Sequence, residues 1–451
     1  MLLSPPAPPA RRWLVLLVWL AFLLEVVLFT FGRNVIGPYW SPVALLLCGL
    51  TLAGAAAVYT TNCHLTWAPA GQPSRLVRWV VGSGAVLLSA VLTGGVVAKQ
   101  IGRQPLSELL THSDIVPALQ VYVSRWLSGA QVYQRIELGG YSFLPNYPPL
   151  QWLPFVPAEL LGIDYRWWAA GALLLALAAY QILVARLGLS WGEWLLKALV
   201  PVLVVHFVVL TERNLMGLTV ESLAFGYYAL LALAILHRSA AARAIALVFC
   251  VLSRYSLALW LPLYAVLLWY ESPKQARRTI GLALALTGAI LVAFLWHDPS
   301  IFLRAQLENF DVTVGEWQNH VEDTLHGWPR HVFTGTGLAP WWYHGPAAAA
   351  ESIRSLQTVH FAVCAAVPLL WGLWWWPRRH RLDVRLVALF SLKAYLAVFY
   401  AFLILPYVYL AILSLVWSWF VVAVVSGSPQ RFLQPIALPA APNAGSATPT
   451  A

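Results

Sequence analysis

The chain has 451 residues, of which 60% are apolar and only 10% charged, and its formal charge is +10. So little charge cannot cover a soluble globule of this length, and most of the chain must face lipid. The positive balance does not indicate nucleic acid, because Lys and Arg sit in short clusters between apolar segments, the pattern of loops at a membrane surface. Cys48, Cys63, Cys250 and Cys364 show neither the spacing of a disulfide framework nor that of a zinc site.

Arg11 and Arg12 precede Trp13 to Phe31, a stretch too long for a signal-peptide core and lacking a small-residue cleavage site, so a retained first span is expected. Crossing about 30 Å of hydrocarbon takes roughly 20 apolar residues as helix. Further segments of that kind start at Ser41, Leu76, Trp167, Ala198, Met216, Thr279, Thr358, Val384 and Pro406. Ala240 to Tyr270 contains Arg254 and reads as two short spans, although its 31 residues fall below the roughly 40 that two full crossings need. A broken helix there is tolerated only where backbone lines a protected cavity.

The expected fold is therefore an all-α polytopic membrane protein with about twelve transmembrane helices. It divides into an N-terminal three-span segment (1–97), an external loop (98–166), central spans (167–296), a second external loop (297–356), three closing spans (357–426) and a Pro-, Ala-, Ser- and Thr-rich tail (427–451) expected to be disordered. The cytoplasmic bias of Lys and Arg decides the ambiguous segment Pro148 to Gly162. If it crossed, His237-Arg238 with Arg243, Lys274 with Arg277 and Arg278, and Arg378-Arg379-His380-Arg381 would all lie outside. If it only dips in, all of them lie inside with Arg75, Arg78, Arg186 and Lys197, and both termini are cytoplasmic. The second threading places the protein in a cytoplasmic or inner membrane with both large loops outside.

The first external region reads Thr111-His112-Ser113-Asp114-Ile115-Val116-Pro117, followed by Leu119, Val123, Trp126 and Leu127 at helical spacing and Gln120, Ser124, Arg125 and Ser128 opposite. A helix lying along the outer surface is predicted, starting at Asp114 and stopping at Gly129. Two roles suit Asp114: a helix cap interacting with the positive end of the dipole, or a carboxylate at the membrane boundary that takes a proton from an acceptor hydroxyl. Arg254, an Arg inside an apolar run, is either an interfacial anchor or a guanidinium whose planar fork grips a phosphate. Arg125, Arg135 and Arg330 are further phosphate candidates, or ordinary interfacial charges.

The second external region carries His320, His326, His331 and His344 among Glu316, Glu322, Asp323, Trp328, Trp341 and Trp342, at spacings that match no zinc signature. It suits the polar and aromatic walls of a sugar cleft, or an unrelated structural loop. Tyr133, Asn146, Tyr147, Asn214, Glu221, His331 and His344 are the candidate substrate contacts. Glu25, Glu221 and Lys393, in or near spans, are candidates for internal pairing or a pathway.

Downstream of Asp114 come Gly129-Ala130-Gln131-Val132-Tyr133 and Tyr141-Ser142-Phe143-Leu144-Pro145-Asn146-Tyr147-Pro148-Pro149-Leu150. An Asp opening an outer-face helix, a small-residue turn with Gln and Tyr about fifteen residues on, and then Tyr-Pro-Pro-Leu resembles the first external loop of GT-C superfamily glycosyltransferases. The nearest likeness is to the polyprenol-phosphate-mannose-dependent mannosyltransferase branch. It covers roughly residues 100 to 270, including the polar break Thr211-Glu212-Arg213-Asn214 and Arg254 in Leu252-Ser253-Arg254-Tyr255, where the family often has Lys.

The resemblance implies transfer of mannose or a similar hexose or pentose from a polyprenyl-phosphate donor to a lipid or glycan acceptor on the outer face, in assembly of the cell envelope. Asp114 would be the catalytic base of an inverting displacement, with neither metal nor other cofactor called for by a visible ligand cluster. Two other classes share the polytopic form. A lipid or solute transporter or flippase would favour an internal hydropathy repeat, which is not seen; a polysaccharide ligase or polymerase would share the large outer loops.

Overall fold

The computed structural model describes residues 9–61, 73–187, 189–237, 239–319 and 327–425. Cys63, Arg238, His320, Glu322, Asp323, His326 and the tail from residue 427 lie outside the described residues.

The chain opens with α1 (Pro9–Val27), which runs through a π-helical turn at Leu28–Gly32 into α2 (Arg33–Thr61). Gly37 adopts φ 79°, a conformation that a residue with a Cβ avoids, and the chain turns there so that the two arms pack side by side. Next come α3 (Arg75–Arg103), α4 (Ile115–Leu127), the strands β1 (Ile136–Leu138) and β2 (Tyr141–Phe143), and the short helices α5 (Pro149–Trp152) and α6 (Val156–Leu160). The central part holds α7 (Tyr165–Arg186), α8 (Trp191–Thr211), α9 (Arg213–Gly217), α10 (Ser222–His237), α11 (Ala240–Val251), α12 (Leu261–Glu271) and α13 (Pro273–Leu295). The chain closes with α14 (Ile301–Gln318), α15 (Ala349–Trp375), α16 (Val384–Ala401) and α17 (Val408–Val424).

By length and composition, seven helical stretches among the described residues can cross a membrane: Trp13–Thr60, Arg75–Arg103, Tyr165–Arg186, Trp191–Val208, Pro273–Leu295, Pro346–Arg378 and Val384–Ala401. The first is the α1–α2 pair, and α10, α11 and α17 are shorter apolar helices. Among the described residues the protein is thus an all-helical membrane protein with one small exception, the antiparallel β1–β2 hairpin pairing Ile136 with Phe143 across Gly139 and Gly140. Several helices begin earlier than hydropathy places them, because polar caps select the first turn. Asp164 accepts from the Arg166 N–H, moving α7 to Tyr165, and Ser272 accepts from the Gln275 N–H, moving α13 to Pro273 rather than Thr279. The stretch expected from Met216 is broken: α9 ends at Gly217 and α10 starts at Ser222.

The two ends of the bundle differ. One gathers the basic clusters: Arg78 donates to the Leu187 carbonyl at 3.1 Å, Lys197 to Val425 at 3.1 Å and Arg385 to Leu236 at 3.1 Å. Tyr270 and His380 also meet there at 2.8 Å. The other gathers the long loops: Arg166 bridges the Gln104 and Gly217 carbonyls, Trp341 donates to the Tyr39 carbonyl beside Gly37, and the Leu338 N–H reaches Ala401. A small core of Trp317, Val332, Phe333, Ile353 and Leu356 holds this second end together.

Helix length shapes the loop end. At 1.5 Å per residue, the 29 residues of α3 and the 27 of α15 rise about 40 Å, whereas the 12 of α11 and the 11 of α12 rise less than about 20 Å. Arg243 near the start of α11 pairs with Glu271 at the end of α12 at 2.7 Å, so the two form a hairpin with both feet at the basic end. Its tip, from Ser253 through the 3₁₀ turn Tyr255–Trp260, carries Arg254 at the break between the two helices. Pro148 to Gly162 forms helices of four, three and five residues, far too short to cross. The Leu150 N–H donates to the Leu252 carbonyl at 3.0 Å and ties this segment to that tip.

Candidate functional site

Asp114 stands at the N-cap position of α4, yet its side chain caps nothing. The neighbouring Ser113 does the local work, its Oγ accepting from the Ile115 N–H at 3.3 Å and donating to the Leu218 carbonyl at 2.9 Å. The helix buries Val116, Leu119, Tyr122 and Val123, and Gly129 ends it with φ 71°. Trp126 and Leu127 stay nearly half exposed. The Asp114 carboxylate is left free for another partner, the Tyr141 hydroxyl, which donates to Oδ2 at 2.7 Å.

Arg254 sits in extended conformation (φ −151°) at the break between α11 and the 3₁₀ turn, where the helix ladder has lapsed. Its guanidinium pairs with Glu221, which caps the approach to α10 and is nearly fully buried, while Arg254 itself keeps a quarter of its side chain exposed. Glu221 engages one terminal nitrogen of the guanidinium, which has five N–H donors in all.

Tyr147 connects the two charges. It lies within electrostatic reach of both Asp114 and Arg254; burial raises its hydroxyl pKa, Asp114 adds to the rise and Arg254 opposes it. Tyr409, on the first turn of α17, is within reach of the same pair. Tyr407, just before it, has a hydroxyl pKa raised by burial, with Glu316 and Asp114 adding. The fold thus brings together residues from the first loop, the α11–α12 tip and the start of the last helix. His331 packs its ring on Tyr407 with centroids 5.0 Å apart and lies 3.8 Å from Glu316. Burial holds its imidazole below the usual pKa, with Glu316 pulling the other way.

Other expected contacts lie elsewhere or carry structural duties. Arg125 donates to the carbonyls of Val132, Gln134 and Arg135 at 2.7–3.1 Å, which spends its fork on holding the loop. Arg135 pairs bidentately with Glu308 at 3.0 and 2.6 Å. Tyr133 is buried, donating to the Tyr147 carbonyl at 2.9 Å and accepting from Trp152 at 3.1 Å, so it shapes the Tyr147 turn. Arg330, Asn214 and His344 are exposed. Beside Asn214, Glu212 has its carboxyl pushed up to about 7 by burial, which the Asn214 N–H partly offsets.

Asn146, next to Tyr147, has a buried Oδ1 with no hydrogen-bond partner among the described residues. Tyr141, Tyr407 and Tyr409, described above, join the site without having been singled out from sequence. Gln151 is 1% exposed, and both atoms of its carboxamide lack partners among the described residues. The sequence signal for Gln151 was its place directly after the Tyr-Pro-Pro-Leu run.

An apolar groove of about 700 Å³ adjoins this end. Leu150, Leu153, Trp167, Trp168, Leu223 and Tyr227 line it, together with Gly226, where a Cβ would press on the Ala172 carbonyl. Tyr227 donates to the Leu150 carbonyl at 3.1 Å, so the groove abuts the segment tied to the α11–α12 tip. Compared with known families, curated proteins and solved structures, the chain matches none.

Proposed function

We propose that the chain is a membrane glycosyltransferase that moves a sugar from a polyprenyl-phosphate donor to a lipid or glycan acceptor, and that Asp114, Tyr147 and Arg254 belong to its active site. The observation that carries this reading is that Tyr147 lies within electrostatic reach both of Asp114, whose carboxylate does not cap its helix, and of Arg254, which keeps a quarter of its side chain exposed. The apolar groove, lined in part by Leu150, which is tied to the α11–α12 tip through Leu252, suits the first isoprene units of a donor whose phosphate meets Arg254.

In this mechanism the acceptor hydroxyl gives its proton to Asp114 and its oxygen attacks the anomeric carbon from the face opposite the phosphate. The bond from that carbon to the phosphate oxygen breaks, and its electron pair leaves with the polyprenyl phosphate. The open donors of Arg254 stabilise the charge that develops there while Glu221 fixes the guanidinium's orientation. A phosphate leaving group needs no general acid, so one carboxylate suffices where glycoside hydrolysis uses two. Asn146 and Gln151 offer buried amide groups to sugar hydroxyls.

In this reading the positive-inside bias puts the basic end in the cytoplasm and the loop end outside, with about twelve helices, two of them the short α11 and α12, making up the membrane part. The test is to incubate the purified protein, in membranes supplying acceptors, with radiolabelled polyprenyl-phosphate-mannose. Label moving to a new lipid or glycan product with inverted anomeric configuration is expected. Label remaining on the donor or crossing the bilayer unchanged would overturn the reading, the latter in favour of a flippase.

A further inference from the structure

The β1–β2 hairpin lies across the candidate base. Tyr141, at the start of β2, donates to Asp114 Oδ2 at 2.7 Å, the geometry of a hydroxyl giving a charge-assisted hydrogen bond to a carboxylate. An acceptor hydroxyl about to lose its proton to Asp114 would make the same bond from the same direction. The hairpin is little buried, with Tyr141 46% exposed and Ser142 exposed beside it. It is held at its stem: Ile136 is fully buried, Arg135 reaches Glu308 on α14, and Glu308 also accepts from the Leu144 N–H at 3.2 Å. Its tip turns at Gly139 and Gly140, both at positive φ, and rests on the Leu110 side chain.

We propose that Tyr141 is a positioning residue and the hairpin an acceptor gate: the tyrosine hydroxyl occupies the acceptor's place on Asp114 until an acceptor displaces it. The inference rests on the transferase reading for its purpose but not for its geometry. With the gate shut, water cannot take the acceptor's place. With it open and no acceptor present, water gives its proton to Asp114 and its oxygen to the anomeric carbon, and the donor is hydrolysed to free sugar and polyprenyl phosphate.

The test uses the full-length protein in detergent or vesicles and reads two quantities. The first is the rate at which Asp114 is converted to an amide by a water-soluble carbodiimide with glycine methyl ester, followed by mass spectrometry. The second is hydrolysis of polyprenyl-phosphate-mannose without acceptor. Tyr141→Phe should raise labelling of Asp114 on the order of tenfold, the worth of a hydrogen bond to a charged group. Arg135→Glu, which does not touch Asp114, should raise it as well, and Arg135→Glu combined with Glu308→Arg should return it to the wild-type rate. Donor hydrolysis should rise in the same variants. Labelling unchanged in both Tyr141→Phe and Arg135→Glu would overturn the gate. A rise in Tyr141→Phe alone would also overturn it, reducing Tyr141 to a local hydrogen bond. Labelling needs no donor, so if it follows the gate pattern while wild type transfers no sugar, the gate stands and the transferase reading falls.

Discussion

Two acid–base pairs inside the helical body illustrate how differently the same chemistry can be used. Glu25 on α1 and Lys393 on α16 meet at 2.5 Å, both nearly fully buried, and further partners come from α17. Lys393 also donates to the Ser414 carbonyl and hydroxyl at 3.1 and 2.9 Å, and Ser418 donates to the other Glu25 oxygen at 2.7 Å. Glu221 and Arg254 form a pair with one sealed member and one open member, beside a carboxylate without structural duty. In lipid, where apolar burial does not distinguish one helix pairing from another, a closed polar cluster fixes which helices pack. An open one is a place for something else to bind.

The comparison breaks first at Lys393. Lys393→Met leaves Glu25 as a buried charge without its cation and should cost about 3–5 kcal/mol of stability. Replacing Glu25 by Leu in the same protein should recover most of that. Thermal unfolding of the purified protein checks both. A single variant as stable as wild type would mean that the α1–α16–α17 cluster is not a lock.

The opposite signature is expected at Arg254. Arg254→Met keeps much of the apolar stem but removes the charge. Combined with Glu221→Gln, so that no buried carboxylate is stranded, it should cut transfer by about 10²–10³, the range for losing one preorganised charge stabiliser, while leaving melting little changed. Arg254→Lys should keep part of the activity, having the charge without the bidentate fork. Melting lowered as far as in Lys393→Met, with turnover per folded molecule unchanged, would put Arg254 in the structural class with Lys393.

The smallest effect belongs to a third pair, Arg135 and Glu308, which is exposed to solvent. Hydrogen bonding from Arg135 holds the Glu308 carboxyl below its usual pKa, with burial opposing. A depressed carboxyl stabilises the fold above the ordinary carboxylate range and loses that contribution as pH falls through its lower folded value. Protection of the Leu144 amide from hydrogen exchange should therefore be flat from neutral pH to about 5 and decline below about 4, by no more than roughly fivefold. Protection that falls as pH rises would have the wrong sign for this pair.

Much of this architecture can be read from sequence, since spans follow from the length of apolar runs and the polar segments between them mark the loops. The break at Arg254 is visible as a charge in an apolar stretch too short for two crossings, and the start of α4 as Ser-Asp before an amphipathic run. What cannot be read is who pairs with whom. Glu25, Glu221, Lys393 and Arg254 are equivalent as lone charges in apolar surroundings. Glu25 finds its partner 368 positions away, and no local pattern encodes that. The helices starting at Trp191 and Ala349 begin before the apolar runs from Ala198 and Thr358 that hydropathy senses, and neither start has a side-chain cap to mark it. The hairpin was legible in principle: Gly139-Gly140 flanked by Ile136, Leu138 and Phe143 is a strong turn signal, overshadowed by the helical character of the rest.

The central claim is that Asp114 and Arg254 serve one site acting on a lipid-phosphate sugar, and Asp114→Asn tests it most directly. The amide preserves the shape and can still accept from Tyr141, but it cannot take a proton. Transfer from radiolabelled polyprenyl-phosphate-mannose in reconstituted vesicles should fall by about 10²–10⁴, the usual worth of a general base, with donor binding within about twofold of wild type. Transfer at the wild-type rate by the folded variant would contradict the account.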